Sequence, residues 1–323
     1  MAEPFIVEPC QAKWAQFVES DRISIAPEPF LSPNDRIFAI GSCFAEEIRK
    51  ALAQLNMAML PDYASVAIDR KHNLVDTLPE RPHLNYYNSF TIRQEFERIV
   101  GEWEQAPDDH WRVRHKRWTE RKAFQDPYRR LVFARTASDL NATIANLNAV
   151  MRAGFEQANV FLMTFGMIEV FVNRRNGRVV GQKPLYGGGG GAEESDFLQS
   201  GFEDNLSNVR RICDIILSRK PEARIIMTVS PVGLERTFSG KDIYVANMEG
   251  KSVLRAVLGQ VEREYSQVRY FPAYELVMSN GMAGFKEDGR HVRDDVVRAI
   301  MQAFVRAHVQ EGAAAVENLE RNI

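Results

Sequence analysis

Two nucleophile-capable residues, Ser42 and Cys43, stand side by side in the segment Arg36–Arg49, which reads RIFAIGSCFAEEIR. An apolar run, Ile37 to Ile40, stops at Gly41, and Phe44, Ala45, Glu46, Glu47 and Ile48 then open a pattern with helical spacing. A strand that turns sharply into a helix places a nucleophile where backbone N–H groups converge. Those donors and the helix dipole stabilise negative charge. The chemistry this implies is attack on an acyl carbonyl. A serine there needs a base, whereas a thiolate at a helix N-terminus is expected to have a depressed pKa and to need less help. Far downstream, Asp288 and His291 lie three apart just before the final helical pattern. An aspartate at that spacing fixes one imidazole nitrogen and leaves the other as a base. The chain order would be nucleophile, Asp, His.

Positioning these groups requires a scaffold, and the apolar pattern supplies one. Strand candidates fall at 36–40, 160–166, 223–231 and 268–271. Helical spacing marks about 43–56, 91–104, 136–157, 202–219, 250–265 and 293–310. Alternating strands and helices predict an α/β protein with a parallel sheet. The proline-rich residues 1–35 read as a lead-in, 36–310 as a single domain and 311–323 as a tail. A partly helical insertion is expected at about 57–135, with only Val66–Ile68 as a possible strand. In open parallel sheets ligands bind beyond the carboxyl ends of the strands. Gly41–Cys43, Gly166–Glu169, Ser230–Val232 and the segment after Phe271 should therefore meet.

Bulk properties exclude several classes. The formal net charge is −2, with 41 basic against 43 acidic residues. That balance argues against nucleic acid or an anionic membrane as partner. No apolar run reaches the roughly 18–20 residues of a membrane span. The start, MAEPFIVEPC, lacks a basic segment followed by an apolar core, so no signal peptide is expected. Three scattered cysteines form neither a disulfide framework nor a zinc pattern, and no residue set has metal-ligand spacing. A cytoplasmic protein with a free thiol at 43 is the expectation. The sequence leaves the oligomeric state open.

Plainer readings stand beside the chemical ones. Free cysteine is often a core residue, and Ser42 is a natural helix N-cap. Glu169 reads as a base or as the ion-pair partner of Arg174 or Arg175. The basic, aromatic run from His110 to Trp118 reads as a solvated loop, or as a holder of an anionic sugar, a phosphate or a coenzyme A tail. Gly187–Gly191 reads as a flexible loop or a mobile lid.

The segment GSCFA at 41–45 resembles the signature of the GSCFA domain. The resemblance continues through NSFTIRQEFE (88–97), DPYRR (126–130), TFGMIEVF (164–171), IIMTVSPVGLERT (225–237), KSVLRAV (251–257), YFPAYE (270–275) and DGRHV (288–292). The GSCFA domain in turn looks like a branch of the SGNH, or GDSL-like, hydrolases. That resemblance implies a three-layer α/β/α sandwich of flavodoxin-like type. It also implies an acyl-ester hydrolase or O-acyltransferase acting on an acylated carbohydrate, lipid or small-molecule ester. No cofactor is required on this reading, apart from an acyl-CoA-type donor if the enzyme is a transferase.

The superfamily's final Asp-x-x-His block is matched by Asp288 and His291. Its first block, Gly-Asp-Ser, laid over 41–43 puts the serine slot on Cys43 and the aspartate slot on Ser42. Aligning serine with serine makes Ser42 the nucleophile instead, and the register leans slightly to Cys43. The asparagine of its Gly-x-Asn-Asp block is replaced by Ile168 in Gly166-Met167-Ile168-Glu169, which removes an oxyanion donor. Candidate replacements are Asn88, the Ser89 hydroxyl and the backbone N–H groups at 42–44, and Gly41, Phe44, Gly166 and Glu169 are expected beside them at the substrate and oxyanion site. The lost donor also leaves room for a catalytically silent protein that binds a glycan or nucleotide in the same cleft.

Overall fold

The computed structural model describes residues 28–310 apart from 116, 117, 119–121, 187 and 188, together with residues 14, 23 and 25. Most of the lead-in, with Cys10, and the tail lie outside the described residues. The chain enters at β1 (Arg36–Gly41), turns into α1 (Cys43–Gln54) and returns as β2 (Ala58–Leu60). Then follow β3 (Asn73–Val75), α2 (Ser89–Ile99), β4 (Trp111–Val113), β5 (Ala123–Gln125), β6 (Val132–Ala134) and α3 (Ala137–Gln157). The second half holds β7 (Val160–Phe165), β8 (Glu169–Asn173), β9 (Ser195–Gln199), α4 (Phe202–Arg219) and β10 (Arg224–Val229). It closes with α5 (Ile243–Glu264), β11 (Val268–Tyr270), α6 (Ala273–Met278) and α7 (Asp294–His308).

Five strands form the central sheet in the order β11-β10-β7-β1-β2, every neighbour parallel. The chain builds outward from β1 to β2, then crosses to β7 on the other side of β1. The switch in direction therefore lies between β1 and β7, where open parallel sheets hold ligands. Gly41 is level with Thr164, and Thr164 with Thr228, so three strand ends open onto one crevice.

Alternation along the strands gives the sheet two apolar faces. Phe38, Ile40, Phe161, Met163, Ile225 and Met227 join one core with residues of α2, α3, α4 and α5. Ile37, Ala39, Val160, Leu162 and Ile226 join the other with residues of α1, α6 and α7. Burial on both faces explains why β7 reads as an apolar run broken only by Thr164. The protein is α/β, with helices against both faces of a parallel sheet.

The segment 57–135 departs from the expected pattern. Val66–Ile68 is not a strand, because Val66 ends a single helical turn, Tyr63–Ser65. Instead β2 joins the central sheet, and β3-β6-β5-β4 form a separate antiparallel sheet. Each strand there has three residues, too short for alternation to register in the sequence. The helix expected to reach residue 104 ends at Ile99, and Trp103 lies beyond it. The Trp103 ring is held by the guanidiniums of Arg98 and Arg178, at 4.4 and 4.1 Å from its centroid. The helix expected from 250 begins at Ile243, where the Asp242 carboxylate accepts from Tyr244 N–H at 2.8 Å. The hairpin β8–β9 has no counterpart in the sequence reading.

The described part of the aromatic run from 110 to 118 is only partly solvated: Arg112 and Arg114 are exposed, but the aromatic rings are packed. Trp111 and Trp118 are buried in a small core, and the His110 and His115 rings pack on Phe124 and Phe133. Lys116 and Arg117 lie outside the described residues. Of the described glycines, Gly190 and Gly191 pack against Trp111 of the same core, and Gly189 lies against the Gln125 and Gln182 amides. Gly190 N–H donates to Gln125 Oε1 at 2.8 Å. A Cβ on Gly191, where φ is +93°, would sit 2.6–2.8 Å from Trp111 ring carbons. That contact, rather than looseness, calls for glycine there. Gly187 and Gly188 lie outside the described residues.

Candidate active site

The carboxyl ends of β1, β7 and β10 border a cleft of about 430 Å³. Ser42, Cys43, Asn88, Gly166, Glu169, Lys183, Arg290 and His291 all line it. Segments separated by almost 250 residues are thus brought together as the strand-end rule anticipates.

The turn between β1 and α1 is tightly built. Gly41 has φ +145°, and a Cβ there would come within 2.6–2.7 Å of the Thr164 backbone oxygen and nitrogen. Its carbonyl accepts from Tyr86 N–H at 2.7 Å and lies 3.3 Å from His83 Nε2. Ser42 is 2% exposed. Its N–H donates to Thr164 Oγ1 at 2.8 Å, and its hydroxyl lies 3.0 Å from that same oxygen. The Ser42 hydroxyl also accepts from Phe44 N–H at 3.3 Å, as an N-cap. Every polar atom of the Ser42 side chain is therefore engaged within the scaffold.

Cys43 is the first helical residue and is half-buried. Its thiol accepts and donates no hydrogen bond among the described residues. The expected depression of its pKa is not found: burial pushes the thiol up, and Arg290 and Arg81 offset this only in part. Desolvation disfavours the thiolate more than nearby cations favour it. At neutral pH this group is a thiol and needs a base to become a nucleophile.

That base has a local home. Residues 285–292 form a short hairpin closed by a bridge between Phe285 and Val292. Lys286 N–H donates to the His291 carbonyl at 2.7 Å, and Gly289 turns the chain with φ +64°. Inside it, Asp288 Oδ2 lies 2.5 Å from His291 Nδ1, and Oδ1 accepts from the N–H groups of His291 and Arg290 at 2.9 and 3.0 Å. The His291 hydrogen bonds and the Arg290 N–H hold the Asp288 carboxyl well below the usual carboxylate range. Both side chains are about half exposed. The structure contains no hydrogen bond between Cys43 and the His291 ring.

The donors expected around the turn sort themselves by occupancy. The N–H groups of Ser42 and Phe44 are used as described, and Gly166 N–H donates to the Tyr87 carbonyl at 2.8 Å. Phe44 is buried in the core. Ser89 is also buried, and its hydroxyl donates to Asn205 Oδ1 at 2.7 Å, so it ties α2 to α4 and does not line the cleft. Two donors remain free among the described residues: Cys43 N–H and the Asn88 amide. Asn88 caps α2 through Oδ1, which accepts from Thr91 N–H at 2.9 Å, and its Nδ2 is unengaged at the cleft. Ile168 is buried, as its apolar side chain requires.

Glu169 forms no ion pair with Arg174 or Arg175, and Arg174 pairs with Asp196 instead. The buried Glu169 carboxylate accepts from Thr237 Oγ1 at 2.6 Å and Phe238 N–H at 2.8 Å, pinning the loop that follows β10. Rim cations are mostly neutralised: Arg81 by Glu46, Arg130 by Asp76 and Lys183 by Glu235. Arg290 has no carboxylate partner among the described residues, and its Nε donates to the Gly233 carbonyl at 3.3 Å.

Sequence reasoning missed two residues beneath the site. Thr164 is a polar residue within an apolar strand, and its hydroxyl receives the Ser42 N–H. Lys251 sits on the apolar face of α5, three and seven residues before the buried Leu254 and Leu258. Its fully buried ammonium donates to the carbonyls of Gly166, Ser230 and Val232 at 2.9, 2.7 and 2.9 Å. Burial pushes its pKa down to about 7. The three carbonyls act the other way, because a neutral amine has only two hydrogens to give them. In both cases the available signal was a polar residue interrupting an apolar stripe.

Among the described residues no group of three or more His, Cys, Asp or Glu could hold a metal ion. No described helix is long and apolar enough to cross a membrane. No curated protein matches the sequence significantly. Among solved structures the chain is similar to one from Streptococcus pneumonia named for platelet activating factor. The TM-score is 0.37 at 9% identity, covering 90% of this chain and 88% of that one. It is also similar to a gut microbial diltiazem-metabolizing enzyme, with TM-score 0.37 and 10% identity, over 87% of this chain and 48% of that one. The sequence pattern of the GSCFA family matches residues 36–304, so the chain belongs to the GSCFA family.

Proposed function

We propose that this protein is an acyl-ester hydrolase or O-acyltransferase of SGNH type, with Cys43 as nucleophile. The observation that carries the choice is the engagement of Ser42: its hydroxyl serves Thr164 and Phe44 N–H, while the Cys43 thiol faces the cleft unbonded. The five-stranded order and the helices on both faces are what a three-layer sandwich of flavodoxin-like type has.

In the proposed reaction His291 Nε2 removes the Cys43 proton as Sγ attacks the acyl carbonyl. The carbonyl oxygen becomes an oxyanion, which Cys43 N–H and the Asn88 amide stabilise. Asp288, ionised throughout, holds the imidazole through Nδ1 and stabilises its cationic form. Collapse expels the alcohol, which takes the proton from His291 and leaves a thioester on Cys43. Water completes hydrolysis by the same base, or an acceptor hydroxyl completes transfer. An acylated carbohydrate, lipid or small ester would serve as donor, as would an acyl-CoA-type thioester for a transferase. The approach of His291 to Cys43 is a closing step, consistent with catalytic hydrogen bonds that tighten only with substrate bound.

The test is intact-mass detection of a Cys43 thioester after mixing with p-nitrophenyl esters. The expected result is an acyl adduct on the unmodified protein, and Cys43→Ala should lower turnover by at least about 10³-fold, as loss of a nucleophile does. Absence of any turnover would sink the reading. The missing Cys43–His291 hydrogen bond favours one alternative, a silent protein that binds a glycan or nucleotide in the cleft. That alternative gives ligand-dependent stabilisation and no adduct.

A further inference from the structure

Beside the catalytic groups the cleft has an aromatic end. Phe171 comes from β8, Phe197 from β9, and Phe238 from the loop after β10. Their ring centroids lie 4.9 Å (Phe171–Phe238), 5.7 Å (Phe171–Phe197) and 6.0 Å (Phe197–Phe238) apart. Phe171 and Phe238 line the same cleft as Cys43 and His291. Phe238 is 45% exposed and Phe197 37%, so two rings of a packed aromatic cluster remain open to solvent. Scattered apolar surface residues mean little, but a contiguous exposed cluster at a cleft marks a binding surface.

The cluster is also held in place at some cost. The buried Glu169 carboxylate grips Thr237 and the Phe238 backbone, and it forms no ion pair among the described residues. A buried carboxylate without a counter-charge is expensive, and this one fixes the backbone of the residue whose ring closes the aromatic end. Phenylalanine, unlike Tyr or Trp, offers no hydrogen-bonding group. Val170 and Val180 continue the wall with the same chemistry. A sugar hydroxyl would find no polar partner on these side chains, while an alkyl or aromatic group would bury apolar surface.

We infer that Phe171 and Phe238, backed by the Phe197 ring packed against both, form the acyl-group subsite and select substrates with extended apolar or aromatic acyl groups over acetyl. This deepens the acyl-transfer reading and rests on it. The experiment compares kcat/KM for p-nitrophenyl acetate, butyrate, hexanoate and octanoate. Burying each added methylene should raise kcat/KM by about fourfold until the subsite is filled. Phe238→Ala and, independently, Phe197→Ala should lower the octanoate-to-acetate ratio by about tenfold each. Both rings are exposed at the surface, so either variant is expected to fold. A ratio near one in the unmodified protein, or a ratio unaltered in both variants, overturns the inference.

Alkylation of the Cys43 thiol reads the subsite without turnover. N-octyl iodoacetamide should label Cys43, with loss of iodide, faster than N-methyl iodoacetamide, and Phe238→Ala should narrow that preference. If no ester is turned over but the preference is present and narrows, the catalytic reading fails and the apolar subsite stands. Equal labelling rates with ester turnover intact overturn the subsite alone.

Discussion

The two halves of the proposed catalytic pair come from regions of opposite character. Cys43 leaves a turn welded into the core: Gly41 presses on Thr164, Ser42 is bonded on three sides, and Lys251 ties the neighbouring strand ends from beneath. His291 stands on an exposed hairpin, and its geometry is set by one residue three positions away. The first region is fixed by long-range packing, the second by local hydrogen bonds. A nucleophile on a rigid frame and a base on a lighter arm allow the base to close on substrate without disturbing the core.

The sharpest separation of the two regions should come from His291→Ala. Loss of a general base is expected to lower kcat by about 10²- to 10⁴-fold. Stability should stay within about 0.5 kcal/mol, because the side chain is half exposed and away from the core. Asp288→Asn should act in the same direction on kcat. Steady-state kinetics with urea denaturation of the same samples tests both parts. A large stability loss would mean that the hairpin is a structural element rather than an arm.

The glycines of the two regions provide the converse. Gly41→Ala should destabilise by about 3–4 kcal/mol, because overpacking against Thr164 adds to a strained φ. Gly289→Ala, with φ +64° and only the Met282 methyl nearby at 3.5 Å, should cost roughly 1 kcal/mol. Equal urea midpoints for the two variants would contradict the contrast.

Acid should also find the welded region first. His83 lies under the Gly41 carbonyl; burial, with the Arg49 charge adding to it, pushes its pKa down to about 4. The unfolded chain titrates near 6.5, so between those values the unfolded state binds the extra proton. Stability is complete above about pH 6.5 and falls by roughly 3 kcal/mol as pH drops to about 4. Urea midpoints across that window should show the decline, and His83→Phe should flatten it. An unaltered slope in the variant would exclude His83 as its source.

How much of this was legible in the sequence follows the same division. Asp288–His291 is a local relation, so a spacing of three sufficed to read it. The sheet was legible because β1, β7 and β10 are apolar runs long enough to stand out. The strands of three residues in β3–β6 carried no such signal. What stayed hidden were partnerships across the fold: Thr164 with Gly41 and Ser42, Lys251 with three carbonyls, Glu169 with the 237–238 loop. Nothing in the sequence around Glu169 points 68 residues onward, and its nearest arginines were the natural but wrong partners. The raised pKa of Cys43 was hidden for the same reason, since desolvation depends on what packs around the turn.

Ser42→Ala is the smallest of these perturbations and bears most directly on the choice between the adjacent Ser42 and Cys43. In the welded turn Ser42 acts as an N-cap and as a bond to Thr164. Removing its hydroxyl should cost about 1 kcal/mol of stability, the usual cost of losing a serine cap. Its N–H still reaches Thr164 Oγ1, so the turn keeps its direction and Cys43 its place at the cleft. The acyl adduct on Cys43 should therefore still form in Ser42→Ala, with kcat lowered only a few-fold. Intact mass and thermal unfolding on one sample give both numbers. If Ser42→Ala eliminates the adduct while Cys43→Ala retains turnover, the roles are reversed. The welded residue would then be the nucleophile, and the exposed hairpin would have to reach past Cys43 to serve it.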